Sequence, residues 1–129
     1  MRIARLAATW TLQILLGVLC LLAGTSKFAD PGWVRRFAEW GYPAGFYVVV
    51  GILEVIAGLL IFVPRVASYG SLLIAAVMLG AIATHLTHGE MRRLISPTVF
   101  LLMAAGVAWL RRHDAKLSAR ARERERAVV

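Results

Sequence analysis

The chain contains a single cysteine, Cys20, in 129 residues. Thiol–disulfide exchange of the kind membrane oxidoreductases run needs a second thiol to resolve the mixed disulfide, so this chain does not run it alone. Cys20 is no lipoprotein acceptor either, because Leu19 stands where a small residue is required. Acids are scarce, seven Asp and Glu against fifteen Lys and Arg, and each one inside an apolar stretch therefore needs a reason. No dinucleotide-type glycine loop and no phosphate-binding loop occurs, which argues against a nucleotide-driven enzyme. A second histidine at the depth haem ligation would need is missing, and no polar stretch is long enough for a soluble domain.

What the chain has in excess is apolar sequence. Hydrophobic residues make up 60% and mean hydropathy is +0.72, far from the half-apolar, quarter-charged composition of soluble domains. Four apolar segments follow one another, Ala7 to Phe28, Ala44 to Val63, Ala67 to Leu86 and Leu94 to Leu110. The first three reach the roughly 20 residues a spanning helix needs, and the fourth needs its flanks. The expected fold is all-α, a membrane-embedded antiparallel four-helix bundle, with residues 1–110 as one domain and 111–129 as a basic tail. Ten Lys and Arg fall on the side of the termini and five on the other, Lys27, Arg35, Arg36, Arg92 and Arg93, so both termini are expected in the cytoplasm. Cleavage of the first segment as a signal peptide is the competing reading, disfavoured by its length and by its polar stripe. The pI near 11.1 does not point to nucleic acid, because the basic residues cluster directly after a span, where they read as an anchor on anionic lipid. The tail reads equally as a solvated helical extension or as disorder, and the oligomeric state, a homo-oligomer included, stays open.

Glu54 lies in the middle of the apolar run Phe46 to Val63. A carboxylate at that depth costs at least roughly 2.5 kcal/mol, so it is paired, protonated or facing an internal cavity. The first segment carries Gln13, Gly17, Cys20, Gly24 and Lys27 at steps of four, three, four and three, and the second carries Tyr47, Gly51, Glu54 and Gly58. Each set shares one helix face, which should turn inward. Glycines alone would mean close packing; the charge embedded in each stripe is what packing does not explain. Lys27 and Glu54 are therefore expected to share a pocket, with a direct ion pair or with water or ligand between them.

Between these segments, Asp30 and Pro31 suit a helix start and Gly41 a stop. Trp33, Phe37 and Trp40 then share a face, with Arg35, Arg36 and Glu39 away from it, as in a short interfacial helix serving as a lid. Trp33, Trp40 and Tyr42 mark one membrane boundary and Trp10, Tyr69 and Trp109 the other. Thr84 and His85 close the third segment on the lid side, where an imidazole suits proton transfer or hydrogen bonding. His85, Thr87, His88 and Glu90 are too weak a pattern for a metal site, and none is expected.

The strings Gly24-Thr-Ser-Lys-Phe28, Trp40-Gly-Tyr-Pro43, Gly51-Ile-Leu-Glu-Val-Ile-Ala-Gly-Leu59 with Pro64-Arg65, and Met78-Leu-Gly-Ala-Ile-Ala-Thr-His85 together resemble the DoxX-like family of small bacterial membrane proteins. The resemblance covers nearly the whole chain to about Leu110. It implies a four-helix bundle in the bacterial inner membrane and a link to quinone metabolism. The family takes its name from a subunit associated with an archaeal terminal quinol oxidase, and relatives are linked to thiosulfate:quinone oxidoreduction. It implies no catalytic residues. The expected function is an accessory subunit or binding protein in quinone-linked membrane redox metabolism, partnered by a redox complex. Its outward-opening pocket, framed by Gln13, Lys27, Tyr47, Glu54, Thr84 and His85, would hold a non-covalent quinone. The alternatives are an enzyme or binder acting on another hydrophobic molecule such as a lipid, and a structural or assembly partner without a ligand.

Overall fold

A computed structural model describes residues 2–129. It is all-α, with α1 Arg2–Ala29, α2 Gly32–Glu39, α3 Phe46–Ile61, α4 Ala67–Thr87, a 3-10 turn Met91–Leu94 and α5 Ile95–Val128. Among the described residues there is no strand. Three of the helical stretches are long and apolar enough to cross a membrane, namely α1, α4 and the run Met91–Val128.

The breaks have local causes. Asp30 Oδ1 accepts the Gly32 backbone N–H at 2.8 Å, and Pro31, lacking an N–H, fits the same turn without leaving a donor unmet. Gly41 ends the α2 region at φ +86°, a left-handed conformation open to glycine at no steric cost. α3 is shorter than its apolar segment, since turns at Pro43–Gly45 and around Pro64 take the flanks. Its 16 residues rise about 24 Å, less than the roughly 30 Å of a bilayer core, so its flanking residues would have to complete a crossing. The tail is helical, and α5 runs without a break to Val128. Its Ala, Arg, Lys, Leu and Glu residues are all good helix formers, and its distal part is exposed.

The five-residue stripe of α1 is buried throughout, together with Thr9 and Leu16. In α3 the buried face is Gly51, Glu54, Ala57, Gly58 and Ile61. These faces meet backbone to backbone. A Cβ on Gly24 would lie 2.8 Å from the Gly51 carbonyl oxygen, and one on Gly58 would lie 3.1 Å from that of Gly17. Contacts thus climb α3 as they descend α1, so the two helices run in opposite directions. The turn after α3 returns the chain, and Gly70 of α4 packs where a Cβ would come 2.8 Å from the Ala57 carbonyl. Leu16, Cys20, Ala57, Ile61, Ile74, Ala104 and Val107 form the core. Leu22, Ile52, Leu59, Leu79 and Leu102 point outward.

Gly24→Ala is expected to lower stability by roughly 1–3 kcal/mol, because the obstacle is backbone that cannot rotate away. Gly80, where a Cβ meets nothing within 4 Å, is the control, and Gly80→Ala should leave stability unchanged or raise it. Thermal unfolding of both variants in detergent measures the difference.

Candidate functional site

A cavity of about 660 Å³ opens at the end of the molecule that carries α2. Its body is apolar, with Leu53, Val77 and Phe100 in the wall, and its polar groups gather toward α2. Lys27 Nζ donates to Glu54 Oε2 at 2.7 Å, with side-chain exposures of only 6% and 3%. The pair is direct, not bridged. Counting residues along the axis suggests a gap, and side-chain direction closes it. Helical side chains lean toward their own N-terminus, so Lys27 leans down α1 while Glu54, on the opposed α3, leans up to meet it. The same lean brings Lys27 Nζ to 3.4 Å from the Ala23 carbonyl. The Trp33 ring covers the ammonium, its centroid 4.3 Å away.

α2 lies over the cavity. Phe37 is its buried hub, with ring centroids 6.2 Å from Trp33, 5.2 Å from Trp40 and 5.6 Å from Tyr42. Two hydrogen bonds fasten this segment to the end of α4. Trp40 Nε1 donates to Glu90 Oε1 at 2.8 Å. Thr84 spends its own hydrogen on the Gly80 carbonyl, so the Tyr42 hydroxyl donates to Thr84 Oγ1. Glu90 also pairs with Arg93 at 2.9 Å and meets His85 Nδ1 at 3.3 Å, and the His85 ring stands edge-on to Trp40 at 5.4 Å.

Of the residues expected to frame the pocket, Lys27, Glu54, Thr84 and His85 line this cavity, as do Trp33, Phe37 and Trp40. Gln13 does not. It shares a face with Lys27 but sits about 21 Å further down the axis, where its Oε1 accepts from Arg111 Nε at 2.6 Å. Tyr47 is also displaced from the wall. It packs edge-on against Phe37 at 6.4 Å, and Phe46 takes the lining position. Arg36 departs from expectation in the other direction. Arg35 points out toward Glu39, but Arg36 lies over the Trp33 ring at 4.9 Å and lines the cavity. The signal was available, since residues 33 and 36 are one helical turn apart. Glu90 and Arg93 are further additions: Arg93 pairs with Glu90 three residues away and His85 meets Glu90 five residues away, while the Trp40–Glu90 bond is one that no local spacing encodes. His88 turns away, its Nδ1–H donating to the Thr84 carbonyl at 2.8 Å, and no metal-binding group of three acids, histidines or cysteines occurs among the described residues.

Partial burial pushes the Glu90 carboxyl up, but hydrogen bonds from His85 and Trp40 and the Arg93 charge outweigh it, and the group titrates below the usual carboxylate range. A lowered carboxylate stabilises the folded state above its unfolded value, about 4.3, and that contribution is lost as pH falls through the lowered one. Acidification across that window should loosen α2, read as a change in tryptophan emission. Glu90→Gln should abolish the pH dependence while keeping an acceptor for Trp40.

A family model described as the DoxX-like family matches residues 11–107, from within α1 through α2, α3 and α4 to the first part of α5. No match is found among curated proteins or solved structures. The match covers three quarters of the chain, and with three helices able to cross a bilayer it establishes that this membrane protein belongs to the DoxX-like family.

Proposed function

We propose that the chain is a multi-pass protein of the bacterial inner membrane, an antiparallel bundle of α1, α3, α4 and α5 with α2 at the outer interface. Both termini face the cytoplasm, following the Lys and Arg bias. Its pocket opens outward and holds the head of a quinone, in an accessory or binding role within membrane redox metabolism. The observation that carries a ligand-binding role is the buried Lys27–Glu54 pair in the wall of an apolar cavity. A packing device would be enclosed by side chains on all sides. Here the pair faces a space within the range of small-molecule sites, about 300–1,000 Å³. The family relationship favours quinone; the cavity alone suits a lipid as well, and that is the second reading. His85 adds a hydrogen-bonding ring to the same lining, and α2 covers the mouth.

Organic extraction of the purified protein followed by mass spectrometry tests this. Quinone should be recovered with the wild type and fall about tenfold in a Lys27→Leu/Glu54→Leu double variant, the loss expected for a polar contact to a charged group. Glu54→Leu alone should cost roughly 3–5 kcal/mol by stranding a buried ammonium, and the double variant should recover that stability. Retention that recovers along with stability would reduce the pair to a packing element, and bound lipid without quinone would favour the second reading.

Orientation has its own check. A cysteine introduced at Arg35, which is well exposed on α2, in a Cys20→Ala background should react with impermeant reagent from the outer side only. Labelling from the cytoplasmic side alone would refute the topology.

A further inference from the structure

The charges around the cavity do not cancel. Four groups that are or can become cationic line it, Lys27, Arg36, Arg93 and His85, against one acid, Glu54. Lys27 and Glu54 neutralise each other at 2.7 Å. Arg93 is neutralised from behind the wall by Glu90 at 2.9 Å. Arg36 has no such partner, since among the described residues no carboxylate forms an ion pair with it. The residue is half-buried and its guanidinium lies over the Trp33 ring, a contact that occupies a face and leaves N–H edges to bond elsewhere. Its neighbour Arg35, by contrast, is exposed beside Glu39 at 3.8 Å, as an ordinary surface arginine would be.

We infer that Arg36 is a head-group selector in this cavity and that, among single-chain amphiphiles entering it, a carboxylate head is favoured over its neutral ester. The inference rests on the ligand-binding reading above, but not on the ligand being a quinone. A guanidinium fork matches two anionic oxygens in a way a lysine does not, and stacking on an aromatic ring orients it. The uncompensated charge sits at the polar, α2 end of the space, while the walls beyond it, at Leu53, Val77 and Phe100, suit a hydrocarbon chain. An ester head on such a chain would leave the Arg36 charge without a counter-charge, whereas a carboxylate would neutralise it. Arg36 thus sets specificity, and Trp33 positions it.

Trp33 and Trp40 line the cavity and report occupancy by quenching. The probes are dibromostearate, its methyl ester and decylubiquinone, titrated into purified protein in nonionic micelles. Dibromostearate should bind at least about tenfold more tightly than the ester, the value of one charge-assisted hydrogen bond or more. Arg36→Gln should erase that difference, Arg36→Lys should retain part of it, and Arg35→Gln should leave it intact. Equal binding of acid and ester, or equal losses in Arg35→Gln and Arg36→Gln, would overturn the anionic-head inference. Decylubiquinone binding in that case would leave the pocket reading standing, and the absence of quenching by all three probes would remove both.

Discussion

The Lys27–Glu54 ion pair is the constraint that the α2 end of the molecule is built around. Two charges taken out of water lose several kcal/mol of hydration each, and only a short, well-aligned contact offsets that. The 2.7 Å separation requires α1 and α3 to approach closely and in opposite directions. Gly24 and Gly51 permit the approach, each lying against the other's backbone. Further down, Gly58 lies against the Gly17 carbonyl, while Gly17 itself makes room for the Phe62 ring. The glycine stripes and the charges are therefore one arrangement. The glycines set the distance between backbones, and the opposed lean of the side chains converts that distance into an ion pair.

The opposite end is held by a different kind of contact. Arg111 donates to Gln13 and lies 4.8 Å over Trp10, while Arg5 lies 5.5 Å over Trp109 and donates to His113 at 2.7 Å. These pairs join the N-terminal half of α1 to the middle of α5, with long cationic side chains laid over aromatic rings. The α2 end is instead closed by side-chain hydrogen bonds from Trp40 and Tyr42, in the turn that follows the short helix α2. One end is a seam between two long helices. The other is a cover laid over a cavity, fastened by Trp40 to Glu90 and by Tyr42 to Thr84.

Much of this was legible because helical period is strong information. The spacing of Gln13, Gly17, Cys20, Gly24 and Lys27 identified a face, and all five are buried. The same spacing says nothing about which residues act together along that face, which is why Gln13 belongs to the seam and Lys27 to the cavity. Tyr47 failed for a related reason, since at the start of α3 the packing of Phe37 decides which of two adjacent aromatics lines the wall. Arg36 was assigned to the polar face by its charge, yet a long stem and a neighbouring indole bring it round. The Trp40–Glu90 bond joins residues fifty positions apart and exists only once the α4–α5 turn is folded back toward α2. Apolar length located the helices well and their ends less well. Proline and glycine shortened α3, whereas the helix-forming tail lengthened α5 far past its last apolar turn.

The cover and the ion pair are not independent. Trp33 lies against the Lys27 ammonium on one side and Phe37 on the other, and Phe37 in turn packs on Trp40, whose indole is bonded to Glu90. A continuous set of contacts therefore runs from the Glu90 carboxylate to the buried pair. Lifting α2 would take the ring from Lys27 and admit water, weakening the Coulomb attraction that low dielectric had strengthened. A contact that made the pair stronger with α2 in place than with α2 lifted would hold α2 down by that difference. Glu90 stands outside the helices, in the turn that follows α4, and is only partly buried. The low dielectric that makes the Lys27–Glu54 pair costly to bury also makes it costly to break, and the Trp33 ring against the ammonium ties that cost to the contacts that hold α2 in place.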